Sequence, residues 1–265
     1  MIKWIVQKNL IKEETLNKIV SALSELSTPY ELVQVIPFSN ELPEFEPGTF
    51  NIFYGSTTLM LNAYQTSKFR QGVFYDPNKF NTESYLKHWG DRMLNSDGMV
   101  LPFKTFIETK VDSKPKWFLR PNEDDKSFPG QLMETSAILT WYDKLKDINN
   151  PNLNPETMIF AASEKKVYRE WRNFIVGEEI IDSCRYILNE ALNISRKDIP
   201  KKMLEFTVSC ISTFTPHEIF VMDVAETIDG YRVIEFNCFN GTGFYDHDIG
   251  KIVKSINYQI NKKLS

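Results

Sequence analysis

Arg232–Asp248 reads RVIEFNCFNGTGFYDHD. Val233, Ile234, Phe236 and Phe239 have the character of a strand in a core. Successive strand side chains point to opposite faces, so Glu235 and Asn237 share one side of the pleat. The stretch then runs straight into Asn240, Gly241 and Gly243. A polar face of this kind is either wet or holds something charged.

Working outward, DVAETIDGYRVIEFN places Asp223 on a preceding strand, joined through an Asp229-Gly230 turn. If the loop also takes in Tyr231, Asp223 falls opposite Asn237; a strict two-residue turn pairs it with Phe236, on the other face. Gathering Asp223, Glu235 and Asn237 therefore needs the longer loop or a bulge. Three oxygen donors converging from adjacent strands suit a hard divalent cation such as magnesium. The face has a purpose if two such ions bridge nucleotide phosphates there; the alternative is the solvated outer face of an antiparallel sheet. Downstream, Gly241 and Gly243 let backbone amides approach a ligand. Tyr245 and Asp248 begin a closing helix, where Asp248 is a cap first and a substrate contact second.

The rest of the chain is that of a folded globular protein. Its 265 residues, 42% hydrophobic and 13% aromatic, are enough for a sizeable core and about two domains. A net charge of -4, with no long run of like charges, leaves no electrostatic footprint for duplex nucleic acid. Cys184, Cys210 and Cys238 lack CxxC spacing, and with only His88, His217 and His247 a Cys/His zinc site is not readily assembled. The N-terminal apolar run is too short for a signal peptide, and no segment approaches the ~20 apolar residues of a membrane span. The chain reads as reduced and cytoplasmic.

A βαβ-like rhythm opens the chain: KWIVQ, a helix over about Glu13–Leu26, YELVQVIPF, then FNIFYGS leading into TTLMLNAYQTSKF. Gly55 and Ser56 stand where strand meets helix, a place for a helix cap or, less simply, a ligand. From Met99 the pattern predicts a strand at VLPFKTFIE, another at KWFLR, the polar loop PNEDDKSFPG, a helix over about Glu134–Lys146 and the strand TMIFAA. Strands at KVYREWRNFIV and EEIIDSCRYI follow, then a helix near Ile199–Ser209, the strands HEIFVMDVAETI and RVIEFN, and the closing helix.

Two further constellations carry charge. FLRPNEDDKSFPG ends a strand in Arg120-Pro121 and opens a polar loop with Lys126. Its cations could grip phosphates, Arg as a bidentate fork and Lys as a point charge, or the loop is simply exposed. In YREWRNFIV, Glu170 and Arg172 share a face, and Arg185 lies on the following strand. These could form a cross-strand salt-bridge ladder or the anion-binding floor of an active site. The histidines have no carboxylate partner in sequence and read as surface or packing residues. A reactive lysine of the KxDG kind is missing, and Asp246-His247-Asp248 as a DxD motif competes with the helix start that already accounts for Asp248.

An acidic strand residue, a strand reading IEFN, a glycine-bearing loop and a helix together resemble the metal-binding end of the ATP-grasp superfamily. FLRP resembles that superfamily's lysine-proline strand with arginine in the lysine's place. RP, the flap lysine in KSFPG, ExR and EFNCFNGTGFYDHD together look like a divergent clade frequent in bacteriophage genomes. The matched elements run from about Trp117 to Ile252. The resemblance implies an α+β ATP-grasp fold: an N-terminal α/β domain over 1–95, then subdomains 96–162 and 163–265 clamping ATP. It implies that Asp223, Glu235 and Asn237 bind two Mg2+ ions, with Glu235 the bridge. Arg120 and Lys126 would hold the phosphates, with Lys104 a candidate for the first phosphate-binding lysine. Thr157 to Ser163, with Phe160, Ala161 and Ala162 at its centre, would be the hinge under adenine, and Glu170 would join the nucleotide site. Arg172 and Arg185 would face the γ-phosphate or an anionic substrate. The implied activity is ATP- and Mg2+-dependent joining of a carboxylate, on an amino acid, peptide or protein, to an amine through an acylphosphate. The alternative is a catalytically inactive relic that binds a nucleotide or a partner. If the chain is phage-encoded, the host cytoplasm is its place.

Overall fold

The computed structural model describes residues 1–37, 39–122, 128–146 and 153–265, residue 146 by its backbone alone. The first segment holds β1 (Ile2–Gln7), α1 (Glu13–Glu25), β2 (Tyr30–Val33), β3 (Phe50–Tyr54), α2 (Thr57–Gln65) and α3 (Thr82–Trp89). β1 pairs in parallel with β2 on one side and β3 on the other. Gly55 and Ser56 are structural: the Ser56 hydroxyl accepts from the Leu59 amide and so caps α2, and a Cβ on Gly55 would lie 2.6 Å from Gln7.

The middle segment holds β4 (Met99–Pro102), α4 (Phe103–Thr109), β5 (Lys116–Pro121), β6 (Gln131–Glu134), α5 (Thr135–Lys146) and β7 (Met158–Ala162) in an antiparallel sheet of order β4-β7-β5-β6. VLPFKTFIE is thus not one strand. Pro102 has no N–H to continue the ladder and takes the helix N-cap, and Phe103 and Phe106, three residues apart, are both fully buried on one helical face.

The last segment holds β8 (Arg169–Val176), β9 (Glu179–Leu188), β10 (Ala191–Ser195), α6 (Lys201–Ile211), β11 (Ile219–Thr227), β12 (Gly230–Asn237) and α7 (Ile249–Leu264). Its antiparallel sheet runs β10-β9-β8-β11-β12. The Asp248 carboxylate caps α7 by accepting from the Lys251 amide at 2.9 Å. No helix among the described residues is long and apolar enough to cross a membrane.

One face of the five-stranded sheet, with Trp171, Ile175, Phe220, Met222 and Phe236, packs on α3, α6 and the Ile5-Val33-Phe53 side of the parallel sheet. The opposite face is divided. At one end Phe174, Val176, Ile219 and Val221 bury under α7 and the Trp4-Val6-Tyr54 side of the parallel sheet. At the other end the same alternation carries Arg172, Asp223 and Glu235. Residues before 95 and after 163 therefore share two cores, while a third core lies within 103–161.

Phe239 and Phe244 of the opening stretch bury against Trp4, Tyr54 and Phe174. Fully burying one such ring is worth about 1.5–3 kcal/mol. That anchors the loop that follows β12.

Candidate active site

The hairpin of β11 and β12 turns through Ile228 and Asp229, with Thr227 opposite Gly230, one residue earlier than the Asp-Gly turn expected. Gly230 tolerates a φ of +99° there. Left uninterrupted, that register would place Ile234 opposite Asp223. A bulge between Val233 and Glu235 inserts Ile234 as the extra residue and sets Asp223 opposite Glu235. Asn237 follows two residues on, on the same face, and so stands across from Val221. Asp223 is also opposite Arg172, so Arg172, Asp223 and Glu235 form a row across β8, β11 and β12.

Asp223 is 1% exposed, and Arg172 holds it bidentately, Nε to Oδ1 at 2.9 Å and Nη2 to Oδ2 at 2.6 Å. Burial pushes the Asp223 carboxyl up, and the guanidinium opposes that push. Arg172 Nη1 donates to the Gly243 carbonyl at 3.1 Å, and the guanidinium lies 5.1 Å from the Tyr245 ring and 5.7 Å from the Tyr186 ring. Arg172 is thereby committed as a positioning group between Asp223 and the 240–248 loop. Tyr186 also hydrogen-bonds Glu170, whose carboxyl burial pushes up.

A cleft of about 590 Å³ separates this face from the four-stranded sheet. Such a volume is typical of a small-molecule site. Glu170, Tyr186, Glu235, Asn237 and Arg120 line its polar part, and Tyr85, Leu86, Met93, Phe118, Phe160 and Ile234 its apolar part. Arg120 reaches across from β5 and donates through Nη1 to Glu235 Oε2 at 3.2 Å, while Asn237 Nδ2 donates to Glu235 Oε1 at 3.2 Å.

The structure thus brings Glu235, Asn237, Arg120, Glu170 and Phe160 to one cleft, with Asp223 and Arg172 next to Glu235 in the sheet row. Ala161 and Ala162 are fully buried, Ala161 within the third core. Two other expected residues are not brought there. Lys104 is exposed on α4 and does not line the cleft. Arg185 pairs with Trp171 on the opposite face of the sheet, ion-paired with Asp198 at 2.9 Å and donating to Asn193 at 3.0 Å. Its partner on the next strand is an odd neighbour of Arg172, so the pleat aims it away. Lys126 lies outside the described residues.

Among the described residues, no three His, Cys, Asp or Glu side chains gather as a metal site. The donors at hand are two carboxylates and an amide on neighbouring strands, hard oxygen ligands of the kind Mg2+ takes together with its own waters, so these residues fit that ion.

None of the histidines joins the site chemistry. His88 stacks on Phe214 at 3.9 Å. His217 lies 5.5 Å from the Phe74 ring, and burial lowers its pKa to about 4. His247 Nε2 lies 3.1 Å from the Arg172 carbonyl, beneath the sheet row. Sequence reasoning missed Tyr186, Tyr85 and the 93–95 segment. Tyr186 sits beside a register shift of β8 and β9, and Met93 bridges in parallel to Val233 of β12, a pairing that no short-range pattern announces. Phe118 was findable, because it shares a face with Arg120 two residues on.

Comparison with known proteins gives a match over residues 79–256 to the family model of an ATP-grasp domain, family 3 of its clade. Among solved structures, the D-cycloserine synthetase DcsG superposes with a TM-score of 0.67 at 10% identity, covering 98% of this chain and all of that one. An ATP-grasp RimK domain protein from Sphaerobacter thermophilus superposes with a TM-score of 0.62 at 14% identity, covering 96% and 99% of the two chains. A curated relative, a subunit of the aspartyl/glutamyl-tRNA(Asn/Gln) amidotransferase of Cytophaga hutchinsonii, is 34% identical over 64 residues. That match takes in 24% of this chain and spans 65% of the relative's own length.

Proposed function

The chain belongs to the ATP-grasp domains, in family 3 of the matched clade, and from that premise we propose that it is an ATP- and Mg2+-dependent ligase joining a carboxylate to an amine. The observation that carries the reading is the row Arg172-Asp223-Glu235, with Asn237 beside it and Arg120 facing it from the other wall of the cleft.

In this reading the carboxylate oxygen of the first substrate attacks the γ-phosphorus of ATP. The bond to the β,γ-bridging oxygen breaks, ADP leaves and an acylphosphate remains. The amine then attacks the acyl carbon, phosphate is expelled and the amine gives up a proton. Catalysis of this kind is mostly positioning and neutralisation of phosphate charge, and it requires no nucleophilic side chain. Asp223, Glu235 and Asn237 would hold magnesium, which supplies charge neutralisation when bound. Arg120, a guanidinium with several donors at the polar end of the cleft, would take phosphate oxygens. Arg172 would keep Asp223 ionised and in register. The apolar part of the cleft, against Phe160, would take the base.

A second reading, a chain that binds nucleotide or a partner without turnover, draws on the pairing of both carboxylates with arginines. Calorimetry with ATP, with and without Mg2+, on the wild type and Glu235→Ala, followed by ADP release with paired carboxylates and amines, tests both. The ligase reading expects Mg2+-dependent ATP binding that weakens in the variant, and ADP release that the variant lacks. Full Mg2+-dependent binding and turnover in Glu235→Ala would remove the metal assignment. ATP binding with no ADP release for any pair would leave the inactive reading.

A further inference from the structure

β9 is paired from end to end with β8, but β10 covers its other side only from Arg185 to Leu188. After Ser195 the chain leaves the sheet for α6, and the outer edge of β9 from Glu179 to Cys184 carries no strand among the described residues. Nor does any of their backbone hydrogen bonds outside the helices and sheets reach that stretch. An edge of this kind presents a row of N–H and C=O groups, a template for another strand. At about 3.3 Å per residue it is about 17–20 Å long, enough for one short strand.

The edge lies in a groove of about 610 Å³ whose apolar side is made by Ile180, Ile199, Leu204 and Val208. Ile180, Ile199 and Leu204 are only partly buried against the first core, and Val208 on α6 is 50% exposed. The start of α7 bounds the other side: the Asp248 amide donates to Asp182 Oδ2 at 2.8 Å, and Lys251 lines the groove. Charge is divided along it. Glu178 and Glu179 stand at the hairpin end; toward the other end Asp182 is spent on Arg196 at 3.6 Å and on the Asp248 amide, which leaves Lys251 as the net charge.

We propose that this groove binds an extended peptide segment of another protein by strand addition to β9. Antiparallel pairing carries the segment along the line that β10 leaves at Ser195, so it starts beside Cys184 and ends beside Glu179. Alternate side chains then turn onto Ile180, Leu204 and Val208, which selects apolar residues at every second position. An acidic residue at the start meets Lys251, and a basic residue at the end meets Glu178 and Glu179. A second copy of this chain does not fit, because its own edge is sunk between α6 and α7 in the same way and two such edges do not close to the about 4.8 Å of a strand pair. None of these residues lines the cleft between the sheets, so the groove and the ligase reading stand or fall separately.

The test is titration of the isotope-labelled chain with capped hexapeptides, read by amide NMR shifts. Asp-Val-Thr-Val-Thr-Lys should bind with a Kd of about 1 mM or tighter and shift the amides of Glu179–Cys184 and α6, leaving those of the cleft in place. N-methylation of alternate peptide amides, made in both phases, should abolish binding in one phase, because one set donates to β9. Val208→Asp, at a half-exposed position, should weaken the peptide about tenfold at an unchanged unfolding midpoint. The charge-reversed Lys-Val-Thr-Val-Thr-Asp should bind the wild type about threefold weaker, and Lys251→Glu should erase or invert that preference. A wild type that does not bind the first peptide, or undiminished binding by Val208→Asp, overturns the proposal. Binding that survives N-methylation in both phases also overturns it, marking an apolar ligand without strand pairing. Sedimentation of a wild-type dimer that Val208→Asp dissociates would give the groove to a second copy and overturn it as well.

Discussion

Asn240, three residues beyond β12, is the residue whose loss should cost the fold most for its size. It is fully buried. Its Nδ2 donates to the Phe53 carbonyl at 2.5 Å and the Gly72 carbonyl at 2.9 Å, and its Oδ1 accepts from the Phe74 amide at 2.7 Å. One side chain thus completes the hydrogen bonding of three backbone groups in the first segment, and no solvent reaches them through it. Asn240→Leu keeps the approximate volume and strands all three. Each orphaned buried group costs about 1–3 kcal/mol, so the stranding amounts to about 3–9 kcal/mol. The leucine's own burial returns at most about 3 kcal/mol. At the middle of that range, about 2 kcal/mol per group, the net loss is at least about 3 kcal/mol, a large part of the 5–15 kcal/mol typical of a whole domain. Urea unfolding followed by tryptophan fluorescence reads it as a lower midpoint at unchanged slope. Asn240→Asp, which keeps the acceptor but loses both donors and buries a charge, should do no better. A loss below about 1 kcal/mol in Asn240→Leu would refute the reasoning, because the three groups would then have found partners elsewhere.

Two further outcomes follow from the same kind of accounting. Arg172→Met leaves the Asp223 carboxylate buried without its guanidinium, which should cost about 3–5 kcal/mol in unfolding at neutral pH. Because burial raises the folded pKa of Asp223, the stranded group takes up its proton more readily folded than unfolded. The deficit against wild type should be full above the raised folded value and shrink as pH falls toward the ordinary carboxylate range; a deficit that widens in acid would contradict this. Gly98→Ala drives a methyl group to within 2.0 Å of the Phe160 ring, so the ring must swing. Overpacking of this kind costs about 1–3 kcal/mol, and titration should show ATP weakened with tripolyphosphate unaffected; equal weakening of both ligands would place the damage elsewhere.

Much of this site was legible where local pattern and chemistry agree. Alternation along β12 put Glu235 and Asn237 on one face, and alternation along β8 put Glu170 and Arg172 on another. The need for a bulge to bring Asp223 to that face was also readable, because a turn-based register placed it wrongly. Which residue would bulge was not, since Ile234 looks like any other core strand residue. Arg185 misled because the β8-β9 register shift between Phe174 and Ile175 moves it from opposite Glu170 to opposite Trp171. Strands β6 and β10 left no signal for a different reason. Most of their residues are exposed, so no burial imposes a period, and the β9-β10 turn uses Asn189 and Glu190 at positive φ in place of glycine. Met93 and Leu94 reach β12 across about 140 residues, a pairing that only the assembled fold supplies.

The two carboxylates opposite one another on β11 and β12 are neutralised in unlike ways, and the difference bears on how a cation would be received. Arg172 is held by three hydrogen bonds and two aromatic faces on the same sheet as Asp223, and releasing it would strand a buried charge. Arg120 reaches Glu235 from the other sheet through one contact of 3.2 Å to a half-buried, 31% exposed partner, where Coulomb attraction is screened and the net worth of the pair is small. A divalent ion and its phosphates entering the cleft would therefore displace Arg120 from Glu235 and leave Arg172 in place. The freed guanidinium would already be within reach of the incoming phosphate oxygens, so the same exchange that opens the carboxylate to the cation also delivers Arg120 to the anion. The fixed pair holds the geometry of the sheet row, and the labile pair joins the two walls of the cleft until a ligand carries both charges between them.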